Sequence, residues 1–242
     1  MKHSPQQYNS KKNHFLYKLP GGELHSVESL APEKGLASKE RCTGKEMIWG
    51  SLLGDAYCNF RGCITLEHSV QSTPYVFWKW QLLGRENMLT QTSLPRLVHR
   101  QDRRNGRHTH SLRFNTRTLF QEERALFYPL VKNRAVKSVP PLSTMCCRLT
   151  PAALAVWYMD DGGPGGKSKR GCVIDVSCWG ERGGNQIQVA LETIFQLETS
   201  FHGRHGGSGV KLFIPERSVG RFKELITPYI IPSMYYKIAH LF

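Results

Sequence analysis

Two stretches of this chain repeat one plan, and that repeat limits the folds open to it. The first starts at Thr43, which forms a capping box with Glu46 three residues on, and runs through MIWGSLLGDAY past Asp55. The second starts at Thr150, with Pro151 at its first helical position, runs through AALAVWYMDD and reaches Asp161 just before a Gly162-Gly163 stop. Each reads as a mostly apolar helix of similar length ending in a carboxylate. The downstream segments repeat as well. The first helix is succeeded by the strand-like CITLEHS, a helix candidate at Pro74 to Arg85, a hairpin turning at Asn105-Gly106, and a helix in FQEERALFYPLV. The second is succeeded by GCVIDVSCW, with Cys172, Ile174, Val176 and Cys178 on one face, then a helix in NQIQVALETIFQL, a glycine-turned hairpin in FHGRHGGSGVKLFIP and a helix in SVGRFKELITPYI. Helix, two strands, helix, two strands, helix therefore occurs twice. This predicts halves at residues 43–148 and 149–242. Residues 1–42 are polar and broken by Pro20, Gly21, Gly22 and Pro32, and read as a loose extension.

The two terminal acids need an explanation. A helix C-terminus already carries free carbonyls and the negative end of the dipole, so a carboxylate there costs several tenths of a kcal/mol. The arrangement makes sense if a divalent cation is held there, because Mg²⁺ takes oxygen ligands and is usually bound by one or two carboxylates plus substrate phosphates. Helices packed side by side would converge Asp55 and Asp161 at one end of their interface. Small residues permit such packing: Gly50 and Gly54 on the first helix, and Ala152, Ala153 and Ala155 on the second.

Charge points to the partner. Lys and Arg total 33 against 19 acids, for a net charge of +14, which favours a polyanion. Its placement is more specific. Arg96, Arg100, Arg103, Arg104, Arg107, Arg113 and Arg117 crowd one segment that holds a single acid, Asp102. From position 107 the residues alternate. Arg107, Thr109, Ser111, Arg113, Asn115 and Arg117 share one face, and His108, His110, Leu112 and Phe114 share the other. A solvated strand face would mix Lys with Glu, whereas Arg, Asn, Ser and Thr suit phosphates and base edges. The second hairpin offers a sparser set, Arg204 and Lys211.

Other classes are set aside. The seven cysteines are odd in number, scattered, and contain no CxxC, which argues against a zinc ribbon or a secreted disulfide scaffold and favours a reducing compartment. No apolar run is long enough to span a membrane, and the N-terminus has neither a secretory h-region nor a transit-peptide character. GGPGGKS lacks the first glycine of a phosphate loop, since position 161 is Asp, and comes after a helix rather than a strand. His202 with His205, and His108 with His110, lack a Cys or acid at zinc-like spacing.

GSLLGDAY (50–57), LTPAALAVWYMDDGG (149–163) and the ending IPSMYYK (231–237) resemble the two-motif, single-chain LAGLIDADG homing endonucleases of organellar group I introns, most nearly those of the mitochondrial omega-intron type. The likeness covers residues 44–238. The first motif departs from the family wording at Gly50, Gly54 and Ala56 but keeps its terminal acid. The resemblance implies an α+β fold of two pseudo-symmetric αββαββα halves, with saddle-shaped antiparallel sheets in the major groove and a central two-helix interface. It implies Asp55 and Asp161 as metal ligands, Gly54 and Asp160 as contributors by backbone carbonyl only, and Lys137 and Lys237 as basic catalytic partners, with Lys132 and Lys223 as local competitors. The Asp160 side chain should point elsewhere. The implied activity is double-strand cleavage of a long non-palindromic site, leaving 3′ overhangs, by a monomer that uses two or three Mg²⁺ ions, with Mn²⁺ substituting. The implied location is organellar, a mitochondrion or chloroplast. The alternative is a group I intron RNA-splicing maturase on the same fold, and a third reading is a DNA-binding protein that no longer cleaves.

Overall fold

The computed structural model describes residues 42–90, 93–101, 106, 108–165, 170–201 and 210–242, together with the backbone of residues 6–9, 14–18, 24–26 and 202–203. Strands β1 (Gln6–Asn9), β2 (His14–Lys18) and β3 (Leu24–Ser26) form a small antiparallel sheet. The sequence reading places no element there. Proline and glycine lie outside these strands, which carry Tyr8, Phe15 and Tyr17, residues suited to extended backbone.

The first half runs α1 (Gly44–Leu53), β4 (Tyr57–Cys58), β5 (Cys63–Ser69), α2 (Thr73–Arg85), β6 (Arg96–Gln101), β7 (His108–Thr118) and α3 (Gln121–Phe127). A short hairpin, β8 (Leu130–Val131) and β9 (Arg134–Ala135), and helix α4 (Leu142–Arg148) come next. The second half runs α5 (Pro151–Asp161), β10 (Gly162–Gly165), β11 (Gly171–Asp175), α6 (Gly180–Phe195), β12 (Ser200–Gly203), β13 (Val210–Ile214) and α7 (Glu216–Ile226). The chain then ends in 3₁₀ turns, one of them over Pro232–Lys237. The two four-stranded sheets have matching antiparallel orders, β4-β5-β7-β6 and β10-β11-β13-β12, so the repeat expected from sequence is a repeat of topology.

Local differences from the expected elements have local causes. The helix expected over FQEERALFYPLV stops at Phe127, because Pro129 disfavours helical backbone at Tyr128. Lys132 and Asn133 then adopt positive φ in the tight β8–β9 turn. Strand β11 ends at Asp175, so Cys178 leaves the buried face that Cys172, Ile174 and Val176 share and is exposed in a 3₁₀ turn. Helix α4, which was not expected, packs against α6 of the second half although it precedes residue 149.

The core is organised around α1 and α5. The capping box at Thr43 forms as expected: Thr43 N–H donates to Glu46 Oε2 at 2.8 Å and Glu46 N–H to Thr43 Oγ1 at 3.2 Å. Thr150 Oγ1 accepts from Ala153 N–H at 3.2 Å. Both helices are buried nearly all round, as central helices are. They cross at touching distance. A Cβ on Gly50 would lie 2.3 Å from the Ala153 carbonyl oxygen, and one on Gly54 would lie 2.7 Å from Asp160 Cβ.

Gly50→Ala must push the two helices apart and should cost about 1–3 kcal/mol. Gly220→Ala, on an exposed turn of α7 where a Cβ meets nothing within 4 Å, should instead gain about 0.5–1 kcal/mol. Urea denaturation of the two variants measures both. Equal effects would contradict the close crossing.

Candidate metal centre and nucleic-acid interface

Helix α1 stops at Leu53, with Gly54 as its C-cap and Asp55 in the turn beyond, whereas Asp161 is the last residue of α5. The two acids sense each other. Asp161 is pushed up to about 7, first by burial and then by the charges of Asp55, Asp160 and Asp175. Asp55, with its side chain 48% exposed, is held below the ordinary carboxylate value, chiefly by a hydrogen bond from His68. Crowded like charges at negative helix ends are what a bound cation relieves, so the donor set fits a hard divalent ion.

The two lysines occupy equivalent places. Lys137 Nζ donates to the Gly54 carbonyl at 3.3 Å, and Lys237 Nζ donates to the Asp160 carbonyl at 2.9 Å. Each therefore satisfies a carbonyl one residue before a motif acid, where the helix leaves acceptors without internal partners. The same two carbonyls were expected to face metal. Lys137 also lies 4.5 Å over the Trp179 ring, and burial lowers the Lys237 pKa against the opposing pull of Asp160, Asp161 and Asp55. The competitors sit elsewhere: Lys223 donates to the Leu241 carbonyl at 3.1 Å, and Lys132 is in the β8–β9 turn.

The Asp160 side chain is expected to point elsewhere, and the partners that hold it, Lys79 and Tyr75, were missed from sequence, as was His68. The Asp160 side chain is fully buried and accepts from Lys79 Nζ at 2.9 and 3.1 Å and from the Tyr75 hydroxyl at 2.7 Å. Lys79 Nζ also lies 3.0 Å from His68 Nε2. His68 Nδ1 faces Asp55 Oδ2 at 3.5 Å. Alternation along CITLEHS carries the signal for His68, since Ile64, Leu66 and His68 point inward together. Lys79 stands one helical turn after Tyr75 on an apolar helix, the mark of a buried cation with a partner. Across the interface Asp175 and Cys178 lie near Asp161 and Lys137, and Cys178 Sγ is 3.9 Å from Lys137 Nζ.

The basic strand face forms as expected. Leu112 and Phe114 are buried, and Thr109, Ser111, Arg113, Asn115 and Arg117 alternate with them on the other face. Arg96 pairs in register with Arg113, and Arg100 with Thr109. Two of the arginines are already engaged by Glu67. Arg100 Nη2 donates to Glu67 Oε2 at 2.8 Å and Arg113 Nε to the same oxygen at 2.6 Å, with Ser111 donating to the other oxygen. Burial would raise the Glu67 carboxyl, but these donors hold it near 2. Arg117 donates to the Asn87 carbonyl at 3.0 Å, and Asn115 Oδ1 accepts from Thr65 at 2.9 Å. Lys211 pairs in register with Asp175 on the second sheet. Arg103, Arg104, Arg107 and Arg204 lie outside the described residues, as do Asn105 and His205.

The raised Asp161 pKa has a stability consequence. Between the ordinary carboxylate value and about 7 the folded protein holds a proton that the unfolded chain releases, so stability falls as pH rises through that window. Asp161→Asn should therefore stabilise the metal-free protein by on the order of 1–3 kcal/mol at pH 8 and by almost nothing near pH 4. Denaturant titrations at both pH values check this. An Asn variant less stable at pH 8 would contradict the assigned crowding.

Comparison with known proteins places this geometry. Residues 45–222 match the model of the LAGLIDADG DNA endonuclease family. DNA endonuclease I-ChuI of Chlamydomonas applanata is 30% identical over 216 residues, covering 81% of this chain and 94% of that protein. The cytochrome b mRNA maturase bI2 of Saccharomyces cerevisiae is 26% identical over 204 residues, covering 80% of this chain and 47% of that protein. Among solved structures, the homing endonuclease I-WcaI bound to its DNA recognition sequence superposes with a TM-score of 0.66 at 21% identity, covering 85% of this chain and 95% of that one. The paired motif helices, the twofold-repeated sheets and these matches agree: the chain belongs to the LAGLIDADG DNA endonuclease family.

Proposed function

We propose that this protein is a site-specific, metal-dependent endonuclease that hydrolyses one phosphodiester in each strand of a long duplex DNA target. The observation that carries the reading is the convergence of the ends of α1 and α5, where the Gly54 backbone lies against Asp160 and each motif end is flanked by a lysine on an equivalent carbonyl. Asp55 and Asp161 would hold the ions. Divalent ions bound there would lower the pKa of a water and neutralise charge on the leaving oxygen. We assign Mg²⁺, two or three ions, with Mn²⁺ able to substitute.

The chain's own residues do the rest. Lys137 and Lys237 hold positive charge beside the motif ends, where they orient water or offset charge on the phosphate. Arg96, Arg100, Arg113, Asn115 and Arg117 offer a donor-rich face for phosphates and base edges, and Lys211 offers a sparser one on the second sheet. The same role is assigned to Arg103, Arg104, Arg107 and Arg204. The two faces differ, so the target is non-palindromic, and 3′ overhangs are expected from cleavage across the minor groove. Two motifs in one chain suit a monomer, with halves near 43–148 and 149–242. The yeast relative's name favours an organellar setting and supports a second reading, RNA-splicing maturase activity on the same fold.

Cleavage of a plasmid carrying the uninterrupted host-gene sequence tests the reading. Asp55→Asn and Asp161→Asn should each reduce double-strand cleavage in Mg²⁺ by roughly 100-fold or more while DNA binding in Ca²⁺ persists. Full cleavage by either variant would reject the assignment, and improved intron splicing without DNA cleavage would select the maturase reading.

The engaged arginines give a second test. Glu67→Gln should release Arg100 and Arg113 and steepen the salt dependence of non-specific duplex binding by about one counterion in the log–log slope. An unchanged slope would mean that freeing Arg100 and Arg113 adds no phosphate contact, against the use of this face on duplex DNA.

A further inference from the structure

Asp55, His68 and Asp160 each bring a potential ligand atom within 4.8 Å of the others, which on distance alone would make a three-residue cation site. The hydrogen bonds around them argue for a different use. Lys79 is completely buried, and its ammonium faces three acceptor positions: Asp160 Oδ1 at 2.9 Å, Asp160 Oδ2 at 3.1 Å and His68 Nε2 at 3.0 Å. The face of the Tyr75 ring covers it at 4.4 Å. A lysine ammonium has donors only. His68 Nε2 must therefore present its lone pair to Lys79, which leaves the imidazole proton on Nδ1, the nitrogen facing Asp55 Oδ2. Asp160 is likewise spent, because Lys79 and the Tyr75 hydroxyl take its carboxylate.

We propose that Lys79 is a positioning residue: by occupying His68 Nε2 it fixes the neutral Nδ1–H tautomer, so that His68 serves the Asp55 side of the centre as a hydrogen-bond donor and neither His68 nor the Asp160 carboxylate binds metal. The proposal rests on the endonuclease reading for its mechanistic meaning, though not for its test. A donor at this place orients the carboxylate of Asp55 or a water beside it, as outer partners orient ligands in other metal sites. The device belongs to one side of the interface. On the other, Asp175 and Cys178 neighbour Asp161, and neither reproduces an imidazole held by a buried ammonium. The two strands of a target would then be cut by chemically unequal sites.

Long-range ¹H–¹⁵N NMR of the ¹⁵N-histidine-labelled full chain reads the tautomer directly, with His68 assigned as the ring signal lost in His68→Gln. The wild type should show a protonated Nδ1 and an unprotonated Nε2. Lys79→Met alone would strand a buried carboxylate, so the comparison variant is Lys79→Met/Asp160→Asn, which removes both charges and nearly keeps the shape. In it the tautomer should move toward Nε2–H. On a supercoiled target plasmid the same variant should nick one strand at least about 10-fold more slowly, so that singly cut circles accumulate, while DNA affinity changes less than twofold. A wild-type Nε2–H or cationic ring, a tautomer unmoved in the double variant, or unchanged cleavage of both strands would each overturn the proposal. A wild type that fails to cut DNA while its His68 stays Nδ1–H would instead count against the endonuclease reading and leave the role of Lys79 in fixing the tautomer standing.

Discussion

The near-contact of two helix backbones sets the position of both motif acids. At Gly50 the α1 backbone lies against the Ala153 carbonyl, and at Gly54 against Asp160, with no room for a side chain on α1 at either place. Only that closeness lets acids on two separate motifs share one electrostatic environment, in which Asp161 resists ionisation first because it is buried and then because Asp55 and Asp160 are near. The sheets depend on it too. Each continues directly from its motif helix, so the crossing fixes how the two strand faces are presented together. The small residues of the motif are a geometric requirement of packing, and the acids are the chemistry that this packing delivers.

The acids at this centre are placed against stability. Asp55 and Asp161 sit where the helix ends already carry negative character. The surrounding cations are arranged to limit the damage. Lys137 and Lys237 take the carbonyls of Gly54 and Asp160, and Lys79 takes the Asp160 side chain. A buried pair such as Lys79–Asp160 contributes little net stability, since desolvation consumes most of the attraction, but removing either partner alone is costly. Its value here is directional: it fixes which way Asp160 and His68 face. The arginines on the first sheet obey a similar logic, with Glu67 ordering Arg100 and Arg113 before any polyanion arrives.

Much of this was legible in the sequence. Capping residues, the paired acids and the alternation from position 107 placed α1, α5 and β7, and the repeat predicted two sheets of like topology. Lys137 and Lys237 reach the motif ends that the resemblance implied for them, while Lys132 and Lys223 do not. The rest depended on three-dimensional proximity between distant segments. The partner of Lys79 is Asp160 and that of Glu67 is Arg113, and no local pattern pairs them. His68 was readable as inward-facing, but its neighbours come from two other elements. Cys178 was misplaced because strand alternation was extended past Asp175, where the chain enters a 3₁₀ turn.

On this reading the ends of α1 and α5 form one shared cation centre. Anomalous diffraction from Mn²⁺-soaked crystals of the protein bound to its cleavage duplex tests it most directly. Manganese peaks coordinated by carboxylate oxygens of both Asp55 and Asp161 are expected, with the Asp160 side chain still on Lys79. Manganese bound by only one of the two acids, or drawn into a pocket of His68 and the Asp160 carboxylate, would contradict it.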